Sequence, residues 1–205
     1  VRIDHFRGFA ACWAVPAGQK TAVKGRWQPC PGEHLFEALR QTLGQLPIIA
    51  EDLGVITPDV EALRDRFQLP GMKILQFAFD SGPANAYLPH NFQPNCVAYT
   101  GTHDNDTTAG WYASLDDRQR KRVLAYLRCN EQDVVRELIR TAFASVAAMA
   151  IVPLQDVLEL DTSNRMNVPG VAGGNWGWRC AAGGYTGSHA GRLRDLAEMY
   201  NRNGQ

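Results

Sequence analysis

Three strand-like runs end in carboxylates. Asp4 closes VRID, Glu51 and Asp52 close PIIAED, and Asp104 lies in GTHDND just beyond CVAYT. Acids that converge from separate strands on one polar cleft suit glycosyl transfer. One attacks or stabilises the anomeric carbon, one gives and takes a proton, and a third holds sugar hydroxyls. A lone strand-end aspartate is usually a helix cap or a loop hydrogen-bonder. Three of them, with Arg2 two places before Asp4 and His103 directly before Asp104, favour the functional reading. On a strand Arg2 and Asp4 share a face, so the guanidinium can hold the carboxylate ionised and fix its rotamer; the plain alternative is a structural ion pair. The same alternation turns His5 away from Asp4, towards packing behind the strand, and turns Asp52 away from Glu51, towards capping or structure. His103 reads equally as a packed core histidine, and Asn105 as a group behind the site.

Positioning these groups falls to a chain that alternates strand-like and helix-like stretches. VRIDHF (1–6), PIIAED (47–52), MKILQFAF (72–79), CVAYTG (96–101) and AIVPLQD (150–156) are strand candidates, with Pro153 out of place in a central strand. Between them, Leu35, Phe36, Leu39 and Leu43 recur at helical spacing until Gly44. Thr57 and Pro58 mark a second helix start. Helices are also expected around 115–128, 132–148 and 190–202, with loops over 7–32 and 162–187. Strands separated by helices indicate a parallel sheet, either an open doubly wound sheet or a (β/α)8 barrel. No G-x-G-x-x-G follows a strand and no phosphate-loop motif occurs, so the nucleotide-binding form of the open sheet loses support. A barrel needs about 250 residues, so this chain would hold only the later strands of one. It opens on Val1 inside a strand-like run, as expected of an internal or truncated segment.

The 205 residues carry 21 basic and 21 acidic side chains with no block of like charge. That excludes an electrostatic grip on nucleic acid or an anionic membrane surface. Five cysteines without a C-x-x-C pair argue against a disulfide framework or a zinc ribbon and fit a reducing, cytoplasmic compartment. D-N-D-T-T lacks the remaining ligands of a calcium loop. No metal or cofactor is expected.

RIDHFRGF, IIAEDLGVITPDV, YTGTHDNDTTAGWY and NRMNVPG resemble successive blocks of the 4-α-glucanotransferases, the amylomaltase or disproportionating-enzyme family of the α-amylase clan. The resemblance spans most of the chain. It implies a glycosidase-type (β/α)8 barrel of which this chain holds about strands four to eight. The whole of 1–205 would then be the C-terminal part of one catalytic domain, without strands one to three and the N-terminal subdomains. It also implies a retaining double displacement on α-1,4-glucans and maltooligosaccharides. By position, Asp4 resembles the nucleophile, Glu51 the acid/base, and Asp104 the carboxylate that grips secondary hydroxyls. Arg2 and His103 match residues that orient the nucleophile and bind the ring. Phe77 stands where an acceptor sugar would be flanked, and Asn167 where an acceptor hydroxyl would be reached. Trp13 and Trp27 belong to a stacking rim, although core packing is the ordinary fate of Trp13, Trp111, Trp176 and Trp178. Expressed alone, the chain is expected to fold poorly and to be inactive.

The rivals are a hydrolase or branching enzyme of the same clan and a catalytically silent glucan-binding protein. A metal-dependent hydrolase using Asp4, His5, His103 and Asp104 is more distant. The THDNDTT and RMNVPG blocks favour the transferase.

Overall fold

The computed structural model describes residues 1–204, which form two compact units, Val1–Met72 and the remainder from Lys73. In the first unit, β1 (Arg2–Ile3) pairs in parallel with β4 (Ile49–Ala50), Arg2 opposite Ile49 and Ile3 opposite Ala50. Both strands are far shorter than the apolar runs that announced them: the chain bends at Asp4, and regular pairing stops after Ala50. The expected loop over 7–32 contains structure of its own: α1 (Arg7–Ala10) leads into an antiparallel hairpin of β2 (Ala11–Ala14) and β3 (Arg26–Pro29). Helix α2 (Gly32–Leu43) runs as its periodicity indicates and ends where Gly44 adopts φ 75°. Its core face is Phe36 with Leu39, while Leu35 and Leu43 stay exposed. Phe36 packs with Phe6, Val60, Leu63, Phe67 and Leu69 into the core of this unit. Helix α3 (Pro58–Arg66) starts at Thr57 as expected, yet the Thr57 side chain makes no capping bond to the helix backbone.

The three-stranded sheet has the order β5 (Gly71–Ile74), β6 (Cys96–Tyr99), β7 (Met149–Ile151). Strands β6 and β7 run parallel, with Val97 opposite Met149 and Tyr99 opposite Ile151. MKILQFAF does not continue as a strand: after Ile74 it tightens into a 3₁₀ turn, Leu75–Phe77, whose Gln76 N–H donates to the Thr100 carbonyl. Helices α4 (Thr108–Ser114), α5 (Asp117–Leu127) and α6 (Val134–Ala144) lie between β6 and β7. A reciprocal Asp116–Gln119 capping box starts α5. Pro153 causes no conflict, since β7 stops at Ile151 and Pro153 instead leads into the short helix α7 (Leu154–Val157). Helix α8 (Gly187–Met199) closes the chain. The core of this unit joins Leu75, Phe79 and Leu88 to Val123, Val134 and Leu138, with Trp111 packed against it as expected. The two parallel pairs, each linked through helices, make this an α/β protein. Among the described residues all five thiols are free, and no helix is long and apolar enough to cross a membrane.

Candidate active site

Asp4 follows β1 directly and is paired with Arg2 at 2.6 Å, the carboxylate largely exposed and the guanidinium side chain mostly covered. The expected same-face pair is therefore formed, with the carboxylate open to solvent. Glu51 follows β4. Its backbone N–H donates to Ile3 O at 3.0 Å and its carbonyl accepts from Phe6 N–H at 3.1 Å, so the segments after the two strands are laced together. The Glu51 carboxylate takes two further amides: Oε2 accepts from His5 N–H at 2.6 Å and Oε1 from Leu53 N–H at 3.0 Å. The residue next to Asp4 thus anchors the head of Glu51.

His5 corrects the reading from strand alternation. It is exposed rather than packed behind the strand, and it adopts φ 50°. Alternation fails because β1 ends two residues earlier, and the left-handed backbone at His5 aims its amide at Glu51. His5 and Glu51 share the wall of an open cavity of about 470 Å³ with Arg7, Trp27 and Val55. Trp13 and Trp27 sit opposite one another in the hairpin, ring centroids 5.4 Å apart in edge-to-face geometry. Both are exposed, Trp27 by 52%, so the core-packing reading of Trp13 is wrong. The Arg7 guanidinium lies 4.3 Å from the centre of the Trp27 ring and donates through Nη1 to Val55 O.

Asp52, next to Glu51, has the structural role its position implied. It is buried, accepts from Met72 N–H at 2.7 Å and pairs with Arg64 at 2.6 Å. A methyl group at Gly71 would fall 2.2 Å from its Oδ2, so the start of β5 requires glycine here.

The second unit carries Asp104 in the loop after β6. Asn105 shapes that loop, its Oδ1 accepting from both the N–H and the hydroxyl of Thr102 at 2.9 Å. The Asp104 carboxylate meets His103 Nε2 at 3.3 Å and accepts from Asn167 Nδ2 at 2.5 Å, which joins two of the expected residues across 63 positions. Arg165 was not singled out from sequence although it sits in the same NRMNVPG string. It donates to Asp104 O at 2.6 Å and to Asn167 O at 2.8 Å. His103 is partly exposed, not core, and its ring lies 5.0 Å from that of Trp176. With Asn105 and Arg165 these two rings line a cavity of about 140 Å³, so Trp176 too departs from core packing. Trp178 is half-buried and donates from its indole N–H to Asn164 Oδ1 at 2.9 Å. Phe77 is exposed in an otherwise buried run and meets Tyr87 edge to face at 5.5 Å.

The short helix α7 carries a further acid that was not singled out from sequence. Asp156 is 1% exposed and accepts from Thr100 Oγ1 at 2.6 Å, Thr108 N–H at 2.7 Å and Thr108 Oγ1 at 2.7 Å. Burial pushes its carboxyl above the usual range, and the three donors offset only part of that. Applying the strand-end rule to AIVPLQD would have found it.

The family profile described as 4-alpha-glucanotransferase matches residues 1–184. Similar proteins named 4-alpha-glucanotransferase include those of Synechocystis sp., 54% identical, and Thermus thermophilus, 51% identical; each alignment covers 98% of this chain but only 41% and 42% of the relative. A chloroplastic/amyloplastic 4-alpha-glucanotransferase of Solanum tuberosum is 50% identical over 98% of this chain and 36% of its own length. Among solved structures, the amylomaltase of Streptococcus agalactiae in complex with acarbose aligns with TM-score 0.92 at 39% identity, over 98% of this chain and 41% of that one. The amylomaltase of Corynebacterium glutamicum, with TM-score 0.65 at 18% identity over 98% of this chain and 35% of its own, shares the fold. The chain spans about two fifths of the length of these relatives.

Proposed function

The chain belongs to the 4-alpha-glucanotransferase family, and from that premise we propose that it carries the catalytic carboxylates of an enzyme that moves segments of α-1,4-glucan onto the 4-hydroxyl of another glucan or of glucose. Asp4 attacks the anomeric carbon while Glu51 protonates the leaving 4-oxygen, which leaves a β-glycosyl ester on Asp4. Glu51 then takes the proton from an incoming 4-hydroxyl, the C1–O bond to Asp4 breaks, and the α-linkage is restored. Arg2 keeps Asp4 ionised and aligned. Asp104, braced by Asn167 and His103, grips the secondary hydroxyls of the ring under attack, while Asn105 sets its loop and Phe77 flanks the acceptor. No metal or cofactor takes part.

The observation that carries this reading is the bond from the His5 amide to the Glu51 carboxylate at 2.6 Å. It holds the carboxylate of the proton donor against the residue adjoining the nucleophile, which brings the two acids into one neighbourhood. A (β/α)8 barrel with these strands as numbers four to eight is part of the proposal, supported by the parallel pairs and by the likeness to the solved amylomaltases. The acarbose complex of one of them supports a saccharide as the ligand. The free thiols favour a reducing compartment such as the cytoplasm.

Incubating maltotriose with the full-length protein and with its Asp4→Asn form tests the proposal by chromatography. The expected result is a ladder of longer maltooligosaccharides plus glucose, absent in the variant. Shortening without a ladder would identify a hydrolase, and an unchanged ladder from Asp4→Asn would remove Asp4 from the nucleophile's role.

A further inference from the structure

Asp156 has no place in the two-step scheme above, yet it ties both feet of the loop that carries Asp104. We propose that Asp156 is the positioning residue for Asp104, acting through Thr100 and Thr108 to hold the sugar-gripping carboxylate in its working place. The inference rests on the transferase reading and deepens it by naming what aims one of its three acids. The loop is short: β6 ends at Tyr99 and α4 begins at Thr108. Thr100, at the first foot, donates from Oγ1 to Asp156 Oδ2 at 2.6 Å. Thr108, at the second foot, donates from Oγ1 to the same oxygen at 2.7 Å and from its N–H to Oδ1 at 2.7 Å. All three residues are buried. One carboxylate thus cross-links the end of β6 and the start of α4, the two points from which the Asp104 loop springs.

The tip of the loop is closed on itself. Asn105 Oδ1 accepts from the Thr102 N–H and hydroxyl, and the Asn105 N–H donates to Thr102 O at 3.2 Å. A tip of this kind moves as a body on its feet, so a shift at Thr100 or Thr108 carries His103 and Asp104 with it. Gln76 adds a tie at the same level, its N–H donating to Thr100 O at 3.2 Å and its Nε2 to Asp106 O at 3.0 Å. A methyl group at Gly101 would fall 2.8 Å from that Nε2, so the buried amide lies hard against the loop. Asp156 differs from Gln76 in being an acid whose three donors are all neutral, two hydroxyls and an amide. Burying such a group is unfavourable unless its bonds are made. Two acceptor oxygens serve three donors at once, which lets one side chain grip both feet. Asn167 and Arg165 brace Asp104 from the side, and Asp156 sets the base on which that bracing acts. A displacement of about 1 Å, caused away from the chemistry, costs a rate about a hundredfold.

The test uses the full-length protein with Asp156→Ala, Asp156→Asn and Thr100→Val, each made alone and together with Asp104→Asn. Fluoride release from α-maltosyl fluoride follows formation of the ester on Asp4, and rates are taken per folded molecule, measured by circular dichroism. Asp156→Ala is expected to slow release about tenfold to a hundredfold. Asp156→Asn should recover most of that rate, because the amide accepts from Thr108 N–H while donating to the two hydroxyls. Thr100→Val keeps the shape but loses one donor, so it should slow release about fivefold, the worth of one hydrogen bond. It decides the matter where Asp156→Ala does not fold. With Asp104→Asn already present, each change should cost less than about twofold more, since both act through a carboxylate that is gone. A wild-type rate in Asp156→Ala, or in Thr100→Val where the alanine variant does not fold, would overturn the proposal. So would an equal fold-loss with and without Asp104→Asn, which marks general support of the fold, and so would an Asp156→Asn rate no better than that of Asp156→Ala. A wild-type rate in Asp104→Asn alone, or a wild type that makes no transfer product from maltotriose, would instead overturn the underlying reading, and this proposal with it.

Discussion

Glu51→Gln and Asp52→Asn alter adjacent carboxylates by one atom each, and the structure requires them to fail in opposite ways. Asp52 has a side chain 5% exposed, paired at 2.6 Å with an Arg64 side chain 21% exposed, and it also accepts the Met72 amide at 2.7 Å. The asparagine keeps one acceptor for Met72 but sets an amide group or an uncharged oxygen against Arg64. Breaking a buried pair from one side costs about 3–5 kcal/mol. Arg64 retains Asp65 at 2.8 Å and some contact with water, so the lower end, about 3 kcal/mol, applies here. Glu51 is held by two backbone amides, so its glutamine form gives up roughly 1 kcal/mol. As the proton donor, however, it should lose about 10²–10⁴-fold in turnover. Urea unfolding and glucose release from maltotriose, both on the full-length protein, read the two effects separately. A loss of stability below about 1 kcal/mol in Asp52→Asn, typical of an exposed pair, would refute the burial argument. Turnover within about tenfold of wild type in Glu51→Gln would refute the proton-donor role.

Asn167→Ala removes the 2.5 Å amide donor from Asp104, which should lower kcat/KM for maltotriose about tenfold, the worth of one hydrogen bond to a charged group. Steady-state kinetics showing no loss would separate Asn167 from the role proposed for Asp104. Asp156→Asn tests the buried acid through pH. Because burial raises the Asp156 pKa in the folded state, the folded protein holds this proton more tightly than the unfolded one, and stability falls as pH rises from the usual aspartate range through the raised value. Asparagine has no such titration and can still accept Thr108 N–H while donating to both threonine hydroxyls. Thermal unfolding should therefore show the variant gaining on wild type as pH rises above about 4. A deficit that grows with pH would show that the ionised carboxylate is the favoured form.

The groups assigned to the chemistry were readable from the chain because their signals are local. A carboxylate closing an apolar run, an arginine two places before it, and a short polar string after a strand need no knowledge of distant contacts. Asp4 with Arg2, and Asp104 with His103, are such neighbours, and both pairs form. Helix α2 and its stop at Gly44 follow equally from spacing and from glycine's freedom at φ 75°. Where the reading went astray, it assumed that regular geometry persisted. Alternation placed His5 behind a strand that had already ended, and ordinary burial rates placed Trp13 and Trp176 in a core they do not enter.

The sequence by itself determined which residue types are candidates for the chemistry and roughly which strand presents each, since both depend on neighbours along the chain. Only the tertiary structure decided what holds them. The His5 amide reaches Glu51 across 46 positions, Asn167 reaches Asp104 across 63, and Asp156 reaches Thr108 across 48. Bonds of that range follow from how strands pair and where they stop. The free energy that selects those pairings comes from burying Phe6, Phe36 and Leu138 with their neighbours rather than from the polar groups that the fold then positions.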